Sequence, residues 1–318
     1  MKYIEMLRDG EKVQEVYLCK RKTSAMTKNG KEYENLILQD KTGQIDGKIW
    51  DPNSMGIGDF DVLDYVQVTG DVVLFNGQKQ LNISRTIKVD EADVKKEDYL
   101  PSTDKDIDEM MDELLAIIDS IGNEYYKKIL DSLFRENETF VNAFKIHSAA
   151  KSVHHGFIGG LLEHTLSVTK LCDFYTKQYP ILNRDLLLTA SICHDIGKVY
   201  ELSAFPENDY TDAGQLLGHI VMGSEIISDI IKTIPDFPKK QARELKHCIL
   251  AHHGELEYGS PKKPALIEAI ALNFADNTDA KIETMKEALN KEVTATSDDW
   301  LGFNRMLDSN IRKTSPSE

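Results

Sequence analysis

Leu186-Leu187-Leu188-Thr189-Ala190-Ser191-Ile192-Cys193-His194-Asp195-Ile196-Gly197-Lys198 is an apolar run that closes on a histidine, an aspartate and a lysine. A helix that is apolar almost all round is a buried one. An Asp carboxylate at the end of such a helix has to be paired or metal-bound to offset its lost hydration. Gly197 is expected to let the chain leave the helix, and Lys198 stands where it would meet an anion beside the carboxylate.

Working outward from that run, His164 lies upstream, and His219, the pair His252-His253 and Asp276 lie downstream. Imidazole and carboxylate together suit Mn, Fe, Co or Zn, and no cysteine is needed. Taken singly, each histidine reads more simply as a capped helix end or a polar surface residue. Taken in order, the set reads as one metal centre. The spacing around it is helical from Ile107 onward, where Met110, Met111, Leu114, Leu115, Ile117, Ile118 and Ile121 recur at three- and four-residue steps.

The first ninety residues have the other period. Val13–Cys19, Tyr33–Leu38, Gln44–Trp50, Val66–Phe75 and Gln80–Ser84 alternate or are rich in β-branched and aromatic residues. Asn29-Gly30 and Asn76-Gly77 are hairpin signals. Five short strands with glycines at bends suit a small closed barrel. The expected architecture is multidomain: an all-β OB-fold barrel over residues 1–90 and an acidic linker over 91–106. Connecting helices over 107–144, an all-α domain over 145–290 and a C-terminal helix and tail over 291–318 complete it.

Composition narrows the class. The four cysteines, Cys19, Cys172, Cys193 and Cys248, show no C-x-x-C spacing, which predicts reduced thiols and a cytoplasmic setting. No apolar run reaches membrane length and the first residues have no signal-peptide core, so no membrane partner is expected. A net charge of −15 counts against a nucleic-acid partner. Residues 1–90 hold 13 basic against 14 acidic side chains, however, while residues 91–120 hold 3 against 11. The acidity is therefore concentrated next to a nearly neutral barrel.

His164, His194-Asp195-Ile196-Gly197-Lys198, His219, His252-His253 and Asp276 resemble the H…HD…H…HH…D pattern of the HD-domain metal-dependent phosphohydrolases. Gly159-Gly160-Leu161-Leu162-Glu163-His164-Thr165 and Ile249-Leu250-Ala251-His252-His253-Gly254 fit the same family style. With the barrel added, the whole chain resembles the YhaM-type 3'-5' exoribonucleases of Gram-positive bacteria. The resemblance implies ligation of a first metal by His164, His194, Asp195 and Asp276. Asp195 would bridge to a second ion completed by His219 and one or both of His252 and His253. It further implies Mn2+ ahead of Co2+ or Fe2+, and hydrolysis of single-stranded RNA, with single-stranded DNA second, to nucleoside monophosphates.

Lys198 is expected to contact phosphate, with Asp195 the other catalytic residue. His154 and His155 are candidates for the leaving oxygen or the scissile phosphate, and Glu163 and Glu225 for hydrogen-bond partners of ligating imidazoles. Lys20, Arg21, Lys22 and Lys28 with Tyr17, Tyr33, Trp50 and Phe75 mix cations and flat rings, as single-strand binding requires. Tyr33 and Trp50 are the rings expected at the surface. Two competing readings are a phosphohydrolase of small nucleotides and a non-enzymatic single-stranded DNA-binding protein. A homo-oligomer fits each of them.

Overall fold

Period-two alternation in the first ninety residues produces five strands: β1 (Lys12–Met26), β2 (Glu32–Asp40), β3 (Gly43–Ile49), β4 (Tyr65–Phe75) and β5 (Gln78–Val89). They close into a barrel in the order β1-β2-β3-β5-β4, antiparallel except where β3 meets β5. This is the OB-fold arrangement. The inward side chains include Val13, Tyr17, Leu36, Leu38, Ile45, Ile49, Val66, Val68, Val72, Leu81 and Ile83. Gly70 of β4 sits opposite a bulge at Ser84 of β5, where an added Cβ would lie 2.3 Å from the Asn82 carbonyl oxygen. The computed structural model describes residues 1–27, 29–151, 155–290 and 299–315.

The chain divides into two units, Met1–Ser102 with Phe205–Glu207, and Thr103–Ala204 with Asn208–Glu318. The acidic stretch expected to be a linker is in large part barrel. Tyr99 and Leu100 are buried, Gln39 donates to the Tyr99 carbonyl at 3.1 Å, and the Tyr99 ring meets Tyr65 edge-on at 4.9 Å. Two apolar residues inside the acidic run pack onto the barrel, and Asp98 beside them accepts from the Lys41 amide and the Tyr3 hydroxyl.

The second unit is α1 (Ile107–Asp119), α2 (Glu124–Phe134), α3 (Glu138–Ile146), α4 (Gly160–Gln178) and α5 (Arg184–Cys193). They are followed by α6 (Lys198–Glu201), α7 (Asp212–Thr233), α8 (Lys239–Leu250) and α9 (Ile267–Asn290). The helices expected to be connectors, α1 to α3, share one apolar core with the later helices, Leu114, Ile118, Leu130 and Phe144 packing with Leu161, Leu187 and Ile249. Every residue of α5 from Leu186 to Cys193 is buried, as its sequence demands. Its polar groups are satisfied locally: Thr189 donates to the Asp185 carbonyl, and Ser191 to the Leu188 carbonyl.

Residues 291–318 were expected to carry a terminal helix. The described part is instead a hairpin, β6 (Trp300–Asn304) and β7 (Ser309–Arg312), with Gly302 at φ +91° beside a register shift. Residues 291–298 and 316–318 lie outside the described residues. All four cysteines are free and buried. Among the described residues, no helix is long and apolar enough to cross a membrane.

Candidate metal centre

Helix ends bring the donors together. α5 delivers His194 and Asp195 at its C-terminus, α8 delivers His252 and His253, and α4 and α9 contribute His164 and Asp276 from within their turns. His219 has its own device. Gly218, at φ +73° and ψ 155°, breaks α7, and the freed His219 amide donates to Glu201 Oε1 at 2.9 Å. Gly197 acts differently from expectation. Its backbone is helical, and the glycine is needed for space: a Cβ there would lie 2.1 Å from the His219 carbonyl oxygen. The glycine therefore sets how closely α7 approaches Asp195.

Two groups of donors result. In the first, His164 Nε2 lies 3.2 Å from His194 Nε2, 3.2 Å from Asp276 Oδ1 and 3.5 Å from Asp195 Oδ2. In the second, Asp195 Oδ1 lies 3.4 Å from His219 Nε2 and 3.7 Å from His252 Nε2, and His253 joins the two histidines. Such separations are close to the edge of a coordination polyhedron with bonds of about 2.0–2.2 Å, for which edges of roughly 3.0–3.5 Å follow. Asp195 thus turns one oxygen to each group.

The tautomers are fixed from behind. His194 Nδ1 donates to the Ser191 carbonyl, His252 Nδ1 to the Ile249 carbonyl and His253 Nδ1 to the Tyr258 carbonyl, each at 2.7 Å. His164 Nδ1 donates to Asp279 Oδ2 at 2.7 Å and His219 Nδ1 to Glu201 Oε1 at 2.9 Å. A neutral imidazole that donates through Nδ1 keeps a bare lone pair on Nε2. Asp195 Oδ1, His219 Nε2 and His252 Nε2 are accordingly buried without a hydrogen-bond partner. Acceptors that face one another in a buried site need a cation between them. The residues fit a divalent metal.

Charge supports the same conclusion. Lys198 stands among the carboxylates, with its ammonium 2.7 Å from Asp195 Oδ2 and its charge further favoured by Asp276 and Glu201. Burial opposes a charge on His164, yet Asp195, Asp276 and Asp279 raise its pKa well above the usual imidazole value, so these carboxylates draw positive charge, a proton or a metal ion in its place, to Nε2. Burial likewise opposes ionisation of Asp195, but Lys198, His194 and His164 hold it well below the carboxylate range. Burial, with His253 and His194, pushes His252 well down, into the neutral form that ligates metals. A cavity of about 390 Å³ opens over these groups, lined by His164, Asp195, Lys198, Asp276 and, around them, Tyr258, Asn277 and Lys281.

The comparisons with known proteins agree with this geometry. The HD domain family matches residues 161–281. The chain is 35% identical over 285 residues to the 3'-5' exoribonuclease YhaM of Bacillus subtilis (strain 168), covering 89% of each chain. It is 36% identical over 285 residues to the protein of that name from Geobacillus sp. (strain WCH70), covering 89% of this chain and 86% of the relative. Against the protein of that name from Listeria innocua the identity is 34% over 281 residues, 88% of each. The chain belongs to the YhaM family.

In this YhaM-family chain the barrel side chains divide. Trp50 is 47% exposed and stacks on Tyr33 with centroids 5.2 Å apart, and its Nε1 donates to Asn82 Oδ1 at 3.2 Å. Lys48 Nζ lies 5.5 Å from the Tyr33 centroid. Phe75 is exposed, whereas Tyr17 is core. The basic run is split by a register shift between Cys19 and Arg21. Arg21 is exposed, but Lys22 donates to the Phe60 carbonyl, lies 3.4 Å from Glu34 and caps the Phe60 ring. Lys20 donates to the carbonyls of Pro206 and Glu207.

Other expected site residues moved or changed roles. His154 and Lys28 lie outside the described residues. His155 is buried at φ +60°, with Nε2 3.0 Å from Asp279 Oδ2, the carboxylate oxygen that also accepts from His164 Nδ1, and it is not among the residues that line the cavity. Glu163 turns to Thr103 and Lys105, and Glu225 is exposed on α7. The imidazole partners that the sequence reading missed are Asp279 and Glu201. Asp279 was recoverable, since it lies three residues beyond Asp276 and therefore on the same helix face. Glu201 was not, because it reaches His219 only through the Gly218 break.

Proposed function

We propose that this chain is a metal-dependent 3'-5' exoribonuclease that hydrolyses the phosphodiester bonds of single-stranded RNA, releasing nucleoside monophosphates. The observation that carries the reading is Asp195, buried, with one carboxylate oxygen facing each of two histidine groups. That arrangement supports two ions per site, sharing the carboxylate. The donor set of imidazole and carboxylate without thiolate favours Mn2+, then Co2+ or Fe2+. Bound divalent ions would lower the pKa of an attacking water and stabilise the attacking and leaving oxygens of an in-line displacement.

The chain's own contribution is positioning. Asp279, Glu201 and the carbonyls of Ser191, Ile249 and Tyr258 hold five imidazoles in one tautomer, so no reorganisation accompanies catalysis. Lys198 neutralises Asp195 and faces the cavity, where it would also meet a non-bridging phosphate oxygen. Tyr33 and Trp50 on the barrel offer stacking surface to successive bases. Relatives spanning both halves are named exoribonucleases, which favours a polymer over a small nucleotide. Single-stranded DNA is the second substrate to test.

The test is incubation of the full chain with Mn2+ and a single-stranded RNA labelled at its 5' end. Stepwise shortening with mononucleotide release is the expected result. Internal fragments, or loss of the 5' label as the first product, would overturn the reading.

A further inference from the structure

The cavity wall beyond the donors has chemistry that hydrolysis at the metal centre does not use. Asn273, Asp276, Asn277, Ala280 and Lys281 line it from one face of α9, at spacings of three, one, three and one. Asp276 belongs to the metal centre and Asn273 is committed, donating to the His252 carbonyl at 2.8 Å. Lys281 lies five residues beyond Asp276, about 7–8 Å along the helix at 1.5 Å per residue. It is exposed and reaches the cavity as a second cation beside Lys198.

Tyr258 lines the same cavity from the turn Leu256–Tyr258, and the residue is 69% exposed. Its main chain is fixed: the Tyr258 carbonyl accepts from His253 Nδ1 at 2.7 Å, and Gly259 follows at φ +87°. An exposed ring is thereby held at a set place beside a metal-facing histidine. A cavity of about 390 Å³ lies in the usual range for a small-molecule site and would take one nucleotide.

We propose that this cavity is the subsite for the 3' end of the strand: Tyr258 stacks on the base of the nucleotide being released, and Lys281 holds the phosphate one position upstream of the scissile one. This rests on the exoribonuclease reading and deepens it. Stacking is indifferent to base identity, so the subsite would let the enzyme proceed through any sequence. The lysine would reward a strand over an isolated dinucleotide.

The experiment measures KM and kcat for the full chain with Mn2+ on an RNA hexamer, the same hexamer with an abasic 3'-terminal residue, and a dinucleoside monophosphate. Tyr258→Ala should raise KM on the hexamer between about 5- and 150-fold, the span for loss of one base stack. Tyr258→Phe should recover most of that, and the abasic hexamer should show a distinctly smaller penalty. Lys281→Ala should raise KM on the hexamer several-fold more than on the dinucleoside monophosphate, which has no upstream phosphate. A thermal melt of each variant separates loss of fold from loss of contact. Equal penalties with and without the terminal base, or with and without the upstream phosphate, would overturn the subsite, as would variants that match the parent. A parent chain that shortens none of the three would overturn the exoribonuclease reading itself.

Discussion

The barrel and the helical unit present their chemistry in opposite ways. On the barrel, Trp50 stands at the surface, leaning on Tyr33 and Asn82. In the helical unit Asp195 is buried, and each histidine around it is held by an acceptor that is itself fixed. Surface contacts of the first kind are separable and each is worth little alone. Buried, interlocked groups of the second kind fail together, because removing one leaves its partners unsatisfied. Mutation should expose this contrast, with losses graded from the shared carboxylate outward.

The largest effect is expected at Asp195. Asp195→Asn keeps the shape but removes the charge that both donor groups share. Hydrolysis should fall by about a thousandfold or more, the scale of several kcal/mol of lost charge stabilisation. Bound metal, read by titration or elemental analysis, should fall with it while the far-ultraviolet circular dichroism stays helical. Full metal content with near-parental activity would remove Asp195 from the centre.

Next comes a residue with no side chain. Gly197→Ala would push a Cβ to within 2.1 Å of the His219 carbonyl oxygen and 2.8 Å of the Gly223 amide nitrogen. Overpacking of this kind typically costs about 1–3 kcal/mol, or a few degrees in Tm for each kcal/mol. Since α7 would have to retreat, the second donor group should lose metal before the first. An alanine variant with unchanged Tm and metal stoichiometry would show that the approach of α7 is not set by this contact.

Asp279 separates positioning from ligation. Its Oδ2 serves both His164 and His155, and Ser167 donates to Oδ1. Asp279→Ala should weaken metal binding about 10- to 100-fold, and Asp279→Asn, which retains an acceptor, should restore part of it. Affinity is the decisive readout, because a residue that only fills space would leave it unchanged in both variants.

These residues also mark what the sequence could and could not say. The pattern from His164 to Asp276 was legible because each donor is a chemically costly residue beside an apolar helix, and the buried run before His194 left few alternatives. The barrel strands were legible through alternation and the two Asn-Gly turns. What failed were inferences that pass through tertiary irregularity. The register shift after Cys19 divides Lys20, Arg21 and Lys22, a run expected to meet nucleic acid together, and the sequence has no mark for it. The Gly218 break placed Glu201 behind His219, and the space requirement at Gly197 hid behind an ordinary helical φ. Buried Tyr99 and Leu100 turned a linker into part of the barrel.

The smallest effect, and the one that tests the barrel side of the contrast, is at Trp50. The ring is about half exposed and its neighbours are Tyr33 and the Asn82 amide, so Trp50→Ala should leave no cavity in the barrel core and lower Tm little. If bases stack there, affinity for a long single-stranded RNA should drop by about 1–3 kcal/mol, and cleavage of a dinucleoside monophosphate should fall far less. Lys48→Ala, which removes a cation near the Tyr33 ring, should weaken binding and flatten its salt dependence, since fewer counterions are released. The pair of measurements matters more than either one. A Trp50 variant that melts early and binds poorly would mean that the ring holds the barrel together. One that melts normally but binds long and short substrates alike would move strand recognition off this face, leaving the cavity over Asp195 to select substrate alone.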